Sequence, residues 1–472
     1  RFFYSSFLFT KVFFFNVLEN ISKMINKITK KDLLNYFHDG CKNKKSLKIG
    51  TEHEKFVFYK SNFKPIDYEG QEGIRTIFND LIKIGWNPIY EEENIIAVKY
   101  LGQQITLEPG GQLELSGDQL DNIHDTCLES QQHLQLIDSI CKKYNLGMIG
   151  VGLEPFCSKG DFQFVPKKRY AIMSKYMNSK GSHGLDMMLR TCTSQVNMDY
   201  VSEQDMIKKF RVSLALQPIA TALFAYSAIS EGKLSDYYSL RAYYWQNTDN
   251  DRTGILPFVF KNDFSFRSYL DYALKVPMYF VKRGDKYIDV SGESFQDFLD
   301  GQLKNYPNQY PTLDDWTDHL TTIFTEVRLK QFLEMRGADA GPWNSICSLP
   351  AFWTGILYDD ESLDLASQYI ENWDYKFVNK MYRNVPKLGL KFNCEGRTLL
   401  DVAKDIFTIS KLGLKRRNKV NKFGKDETIF LLEIEENLKT GITNADKMIN
   451  FFKKQNFLDK KKLYNFLSYR QN

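Results

Sequence analysis

The sequence lacks the features that mark several protein classes. Its 472 residues contain no clean apolar run near the roughly 18 residues that a membrane-spanning helix needs. The 13 prolines and 28 glycines are too few for a collagen-like repeat, and 43% hydrophobic residues is too many for a disordered chain. A net charge of only +5 lacks the basic excess typical of nucleic-acid-binding proteins. We therefore expect a folded protein that binds neither a membrane nor nucleic acid.

Cysteine is also scarce, and it is scattered. The seven cysteines form no CxxC pair and no Cys/His cluster at zinc spacing; they are Cys41, Cys127, Cys141, Cys157, Cys192, Cys347 and Cys394. This spread favours mostly reduced thiols and a cytoplasmic protein. The spacing leaves one long-range disulfide open.

The first 23 residues differ in composition from the rest. Seven of the 36 phenylalanines fall within the first fifteen residues, and Lys11 interrupts that aromatic run. No small-residue cleavage pattern follows, as it would in a secretory signal peptide. We interpret residues 1–23 as a leader or as non-native sequence before Met24, and residues 24–472 as one domain. A genuine leader would instead indicate an organelle.

Several common catalytic motifs are missing as well. The sequence has no GxxxxGK[ST] loop, no GxGxxG at a strand–helix turn, no HExxH and no GxSxG elbow. A nucleotide, if one binds, is therefore held without a P-loop.

Hydrophobic periodicity predicts an α+β fold built on an antiparallel sheet, without the rhythm of βαβ units. Strands are predicted in LKIGTEHEKFVFY, MLRTCTSQVNMDY and FLEMRG, with two more in IIAVKYLGQQITLEPGGQLELSG, separated by Pro109, Gly110 and Gly111. Helices are predicted at 25–37, in EGIRTIFNDLIKIGW, in LESQQHLQLIDSICKKYN and in DMIKKFRVSLALQPIATALFAYSAI. A helical flank is expected from about residue 362.

The predicted strands carry polar residues two positions apart, which places them on one face. These residues are Glu52 and Glu54; Gln112, Glu114 and Ser116; Thr193, Gln195 and Asn197; and Glu334 and Arg336, with Glu108 just before the glycine turn. Each strand alone fits an amphipathic sheet with one wet side. Together, clustered carboxylates would repel one another unless a cation such as Mg²⁺, bridging ATP phosphates, neutralised them.

Several long segments closely resemble the plant-type, also proteobacterial, glutamate-cysteine ligases. They are GTEHEKFVF, LEPGGQLELSG, LRTCTSQVNMD, KFRVSLALQPIATALFA, DRTGILPFVF and HLTTIFTEVRLKQFLEMRGADAGPW. The similarity runs from about Lys27 to Tyr358 and continues more weakly beyond. It implies a curved antiparallel sheet that forms a funnel, similar to the glutamine synthetase catalytic domain, with helices around it.

The resemblance implies ATP- and Mg²⁺-dependent joining of the γ-carboxyl of L-glutamate to the amine of L-cysteine, the first step of glutathione synthesis. Carried over residue by residue, the implied metal ligands are Glu52, Glu54, Glu108, Glu114 and Glu334. Arg336 is implied to stabilise the transferring phosphoryl group and to contact ATP together with Gln195 and Asn197. Arg241 is implied to bind the α-carboxylate of glutamate, and Arg252, Tyr170 and Met173 are implied to be further substrate contacts.

The resemblance also implies a reversible disulfide between Cys127 and Cys347. A second, plant-specific pair has no counterpart, because its positions fall at Val290 and near Asn305. It implies a monomer or a redox-dependent homodimer. His53 alternates with two proposed ligands on its strand, so we expect it to be packed on the other face.

Two other functions remain open at this point. One is a related carboxylate-amine ligase that accepts a different amine. The other is a non-catalytic homologue that binds an amino acid or nucleotide, although such a protein would be expected to have lost metal carboxylates.

Overall fold

The computed structural model describes residues 27–455 and 459–469. Within them, nine strands form one sheet. Every adjacent pair in this sheet is antiparallel. The predicted α+β class with an antiparallel sheet is therefore confirmed. The prediction for residues 1–23 lies outside the described residues.

The strands are β1 (Ile49–Tyr59), β2 (Asn87–Glu91), β3 (Asn94–Tyr100), β4 (Gln103–Leu107), β5 (Leu113–Ser116), β6 (Leu146–Ile149), β7 (Thr193–Met198), β8 (Ile229–Ser230), β9 (Lys233–Leu234), β10 (Thr253–Gly254), β11 (Phe280–Arg283), β12 (Lys286–Asp289), β13 (Phe324–Thr325), β14 (Val327–Leu329), β15 (Leu333–Asp339), β16 (Asn393–Cys394) and β17 (Arg397–Thr398). The order of the strands in the large sheet is β14-β15-β7-β1-β5-β4-β3-β2, and β6 pairs with the far end of β1.

The helices are α1 (Lys30–His38), α2 (Ile74–Lys83), α3 (Ile123–Lys143), α4 (Lys168–Lys180), α5 (Gly184–Arg190), α6 (Glu203–Leu223), α7 (Leu240–Gln246), α8 (Phe266–Ala273), α9 (Phe295–Leu299), α10 (Leu313–Thr321), α11 (Trp343–Leu357), α12 (Asp360–Tyr369), α13 (Tyr375–Leu388), α14 (Leu399–Arg417), α15 (Leu432–Thr440), α16 (Asn444–Lys454) and α17 (Lys460–Leu467). Among the described residues, no helix has both the length and the apolar character needed to cross a membrane.

Three local predictions need correction. The segment 94–116 forms three strands, because Leu101, at φ 49°, and Gly102 close a tight turn between β3 and β4. Residues 188–190 end helix α5 instead of beginning a strand. The first described helix begins at Lys30, where Thr29 and Asp32 form a capping box, five residues later than predicted; residues 25 and 26 lie outside the described part.

Helices cover the apolar face of the sheet. Val196, Met198 and Met335 are almost fully buried and share one hydrophobic cluster with Leu216 of α6 and Phe352 of α11. Burying each such side chain contributes roughly 1.5–3 kcal/mol. The alternating residues of the same strands therefore face away from this core. The same cluster extends into the C-terminal helices, as Ile406 of α14 shows, although a small β16–β17 hairpin interrupts the predicted helical flank.

Candidate active site

The polar face of the sheet lines a cavity of about 480 Å³, here called the central cavity. Strand register brings the predicted residues together: Glu334 pairs with Asn197, Glu52 with Gln195, and Glu54 with Glu114. Directly opposed side chains on neighbouring strands have Cβ atoms roughly 4.5–5.5 Å apart. The antiparallel order thus converts four separate polar stripes into one continuous patch.

Three of the carboxylates hold short hydrogen bonds that fix their direction. The Nδ2 of Asn197 donates to Glu52 at 2.8 Å, the Oγ1 of Thr106 donates to Glu114 at 2.6 Å, and the backbone N–H of Thr193 donates to Glu54 at 2.9 Å. Asn197 therefore reaches the site through Glu52, and it is not itself part of the cavity wall.

These carboxylates carry negative charge that the protein does not fully balance. Burial, reinforced by Glu334 and Glu114, raises the pKa of Glu52 to about 7. Burial and the neighbouring Glu108 and Glu114 raise the pKa of Glu54 well above its ordinary value. Burial likewise raises the pKa values of Glu108 and Glu114. Such a set favours protons or a hard cation as its counter-ion.

Glu334 has the opposite environment. It is fully buried, and its two oxygens accept a bidentate pair from Arg328 at 2.9 and 2.7 Å. Arg336 also donates to it, and the Lys330 ammonium lies 3.4 Å away. Although burial opposes ionisation, Arg328, Lys330 and Arg336 hold its pKa well below the ordinary range. In this structure Glu334 therefore anchors three cations beside the other four carboxylates, here called the carboxylate patch: Glu52, Glu54, Glu108 and Glu114.

Arg241 and Arg336 lie side by side in the wall of the central cavity. Arg241 is nearly fully buried, donates from Nη2 to the carbonyl of Arg336 at 3.0 Å, and lies 3.8 Å from Asp339. Both guanidinium groups face the Trp245 ring, with centroid distances of 5.7 Å for Arg241 and 5.9 Å for Arg336. Two fixed guanidinium groups in one wall suit the binding of carboxylate or phosphate oxygens.

A third group of side chains closes the cavity around Leu107. Its carbonyl accepts from the buried Lys167 at 2.7 Å and from the Tyr170 hydroxyl at 2.9 Å, while Arg169 donates to that hydroxyl at 3.3 Å. Met173 also lines the cavity. The structure thus places the predicted Tyr170 and Met173 in the wall.

The glycine turn before β5 is held by its neighbours. Gly111 has φ +83°, and a Cβ at Gly110 would lie 2.4 Å from the Leu189 carbonyl, so larger residues would strain the turn. The Gln112 side chain accepts from the Gly110 N–H at 2.8 Å and donates to three carbonyls around Leu189. Gln112 therefore fixes this turn against helix α5, which positions Glu108.

Two predicted residues lie away from the central cavity. Arg252 is fully buried, pairs with Asp249 at 2.7 Å and stacks on Tyr279, so the structure does not bring it to the substrate side. The structure therefore gives no support to the predicted substrate contact at Arg252, which it holds outside the cavity wall. His53 is packed on the opposite face of β1 beside His133, as the strand alternation predicted.

Several wall residues escaped the sequence analysis, namely Lys167, Arg169, Trp245, Lys282, Arg328 and Lys330. The basic run at 167–169 and the VRLK segment at 327–330 offered a signal, since phosphate sites require such cations. Arg328 becomes identifiable only through its register opposite Glu334.

Among the described residues, no three His, Cys, Asp or Glu side chains already converge as a metal cage. The donor set still fits a hard cation, because Glu52, Glu54 and Glu114 are oxygen ligands whose charge lacks full compensation. A cation arriving with phosphate groups would relieve that repulsion.

Cys127 and Cys347 lie on the packed helices α3 and α11. Both are buried thiols in this structure. Burial, and after it the interaction with Cys347, raises the pKa of Cys127 well above its ordinary value. The two cysteines thus lie on helices that pack against each other, as a disulfide between them would require.

Comparisons with known proteins give a consistent picture. The model of glutamate-cysteine ligase family 2 matches residues 48–462. The chain is 49% identical over 435 residues to the chloroplastic glutamate–cysteine ligase B of Oryza sativa subsp. japonica, covering 92% of this chain and 86% of the relative. It is 49% identical over 426 residues to the chloroplastic glutamate–cysteine ligase of Nicotiana tabacum, covering 90% and 80%.

The fold also matches a solved structure. The crystal structure of the Francisella tularensis glutamate–cysteine ligase in complex with AMP superposes with a TM-score of 0.57 at 12% identity, covering 90% of this chain and 87% of that one. At this identity the similarity supports the fold alone.

Proposed function

The chain belongs to glutamate-cysteine ligase family 2, and from that membership we propose that the central cavity joins L-glutamate to L-cysteine at the expense of ATP. The product is γ-glutamylcysteine, formed in the first step of glutathione synthesis. The observation that carries the proposal is the central cavity itself, in which carboxylates from β1 and β5 face Arg241 and Arg336.

The chemistry proceeds in two displacements. An oxygen of the glutamate γ-carboxylate attacks the γ-phosphorus of ATP, and the bond to the ADP oxygen breaks to give γ-glutamyl phosphate and ADP. The cysteine amine then attacks the activated carbonyl; phosphate leaves and the amine loses a proton. Both steps depend on alignment and charge neutralisation more than on a protein nucleophile.

Different residues of the cavity fit the different charged groups of the substrates. Arg241 fits the α-carboxylate of glutamate, because its buried fork is preorganised in the wall. Arg336 fits the transferring phosphoryl group, where negative charge spreads over equatorial oxygens, and it is held there by Glu334 and Gln195. Tyr170 and Met173 complete the substrate wall, with Lys167 beside them.

We propose Mg²⁺ as the cation of the carboxylate patch. Glu52, Glu54, Glu108 and Glu114 would hold it, and it would neutralise phosphate charge when bound. Glu334 remains in the proposed ligand set, although its oxygens are engaged by arginines in the ligand-free site. For Glu334 to bind Mg²⁺, Arg328 or Arg336 would have to shift towards the nucleotide.

An ADP-release assay tests the proposed reaction. With glutamate, Mg²⁺ and ATP, we expect rapid ADP release only when cysteine is added, no release with a panel of other amines, and no release after chelation of divalent cations. The product should be γ-glutamylcysteine by mass spectrometry. Faster turnover with another amine would assign a different carboxylate-amine ligase, and no turnover with any amine would favour a binding homologue.

We also propose that Cys127 and Cys347 form a reversible disulfide. Peptide maps of oxidised protein under non-reducing conditions should show one Cys127–Cys347 crosslink that disappears on reduction, since the two cysteines lie on helices that pack together. In the Cys347→Ser variant, Cys127 should stay open to alkylation after treatment with oxidant. In the control variant Cys394→Ser, which removes a buried thiol elsewhere, Cys127 should be protected from alkylation as in wild type. Alkylation of Cys127 in oxidised wild type would contradict the pairing.

Oligomeric state and compartment follow as proposals. A monomer or a redox-dependent homodimer stays the prediction for assembly. Reduced thiols favour the cytoplasm, while the chloroplastic relatives favour an organelle. Fractionation of cells expressing chains that start at Arg1 and at Met24 distinguishes the two compartments.

A further inference from the structure

A second cavity of about 320 Å³ lies apart from the central cavity, and no residue of the described part of the chain lines both. It is formed by the turn before β1, the start of α6, the end of α11 and the end of α14. Five cations line it, namely Lys44, Lys45, Lys209, Arg417 and Lys419. We call it the basic cavity.

The carboxylates of the basic cavity are already neutralised by lysines. The three ion pairs are Asp121 with Lys48, Asp205 with Lys209, and Asp360 with Lys44. Lys45 and Lys419 have no ion-pair partner among the described residues. The wall therefore holds a positive surplus that its own acidic residues do not cancel.

Two of these cations are held deep in the cavity by one aromatic ring. The Lys209 ammonium lies 4.9 Å and the Arg417 guanidinium 5.6 Å from the centroid of Tyr358. The Lys209 side chain is only 3% exposed and that of Arg417 only 12%. Two converging, desolvated cations favour an anion between them more strongly than exposed lysines do.

Both of these cations retain unused donors. Arg417 uses Nε on the buried Glu427 at 3.2 Å, while its Nη1 and Nη2 have no hydrogen-bond partner among the described residues. Lys209 donates to the Asp199 carbonyl at 3.0 Å and to Asp205 at 2.9 Å, which leaves one of its three N–H groups. The Arg417 fork matches the spacing of two oxygens on one tetrahedral anion.

We propose that the basic cavity is a second binding site, outside the active site, for a tetrahedral oxyanion of the phosphate or sulfate class. Arg417 binds the anion through Nη1 and Nη2, and Lys209 donates its remaining N–H to it. The exposed Lys45 and Lys419 attract the anion to the mouth of the cavity. The Tyr358 hydroxyl donates to the Lys48 carbonyl and accepts from the Asp199 N–H, next to the ends of β1 and β7. The occupied site would thus adjoin β1, which carries Glu52 and Glu54, and β7, which carries Gln195.

Crystals of the full chain soaked in selenate test this proposal, because selenium locates the anion by anomalous scattering. A peak is expected within hydrogen-bond distance of Arg417 Nη1 and Nη2, and Arg417→Gln should remove it. Lys415→Gln, an exposed lysine of the same helix turn, should retain it. Inorganic phosphate and glycerol 3-phosphate are then tested separately as competitors of selenate. Displacement by inorganic phosphate alone would assign the site to a free ion, and displacement by both would show that it also accepts a phosphate ester.

A second variant guards against misfolding of Arg417→Gln, which removes a partner of buried Glu427. The exposed double variant Lys45→Gln/Lys419→Gln should keep the fold and raise the selenate concentration for half-occupancy by about threefold or more, through lost electrostatic attraction. An empty basic cavity at concentrations that fill the active site would overturn the proposal. A peak of full height in Arg417→Gln would do the same.

Discussion

Glu54→Gln is expected to lower ATP-dependent ligation by at least about 100-fold, the scale on which electrostatic groups in active sites act, and yet to raise the melting temperature of the ligand-free protein. The carboxylate is buried beside Glu108 and Glu114, which together with burial raise its pKa well above the ordinary value. An amide of the same shape still accepts from the Thr193 N–H. The substitution therefore removes a charge repulsion from the ligand-free protein and a cation ligand from the protein with its substrates bound.

The sign of this effect depends on pH. A carboxyl group whose pKa is raised by folding destabilises the fold at pH values above its ordinary pKa, here 4.5, and has no such effect below it. The stabilisation by Glu54→Gln should thus be present near neutral pH and fade as the pH falls towards 4.5. Thermal melts of both proteins across that range provide the measurement.

Glu334→Gln is the matched control for the stability effect. Its carboxylate has a lowered pKa because Arg328, Lys330 and Arg336 surround it, so its charge stabilises the fold above the ordinary pKa. The same chemical change should therefore lower the melting temperature here, while also abolishing ligation. Near-normal turnover in either variant would refute its role in the site. If both substitutions shifted the melting temperature in the same direction, Glu54 and Glu334 would not have the opposite electrostatic environments described here.

The carboxylate patch was accessible from the sequence because alternation along a strand is a local property. Glu52 and Glu54 share a face whatever their neighbours are, and so do Glu334 and Arg336. Which strands lie side by side is not local. The resemblance to a known family, and not the alternation, grouped these residues into one site before the structure did.

The residues that escaped prediction depend on distant pairing. Arg328 has a function only because register puts it opposite Glu334, and Trp245 only because Arg241 and Arg336 converge on its ring. The predicted substrate contact at Arg252 rested on the resemblance of the DRTG segment to the family. The sequence does not show that an ion pair with Asp249 keeps this side chain in the interior.

The contrast between those two arginines gives the second major prediction. Arg241→Lys is expected to raise the KM for glutamate by about 10- to 100-fold, because lysine offers a point charge where a carboxylate needs a planar fork. The KM for ATP should change little, since Arg336 and the carboxylate patch remain. Initial rates measured against each substrate in turn separate the two constants.

Arg252→Lys provides the control, as an equally buried arginine paired with an aspartate but outside the central cavity. It should lower the melting temperature, because lysine cannot reproduce the bonds to Asp249 and to the carbonyls of Thr322 and Pro277. Its KM for glutamate should stay near that of wild type. A KM for glutamate unchanged in Arg241→Lys would refute the proposed contact between Arg241 and glutamate. A KM raised equally in both variants would show that burial of a guanidinium, and not its position in the cavity wall, sets the affinity for glutamate.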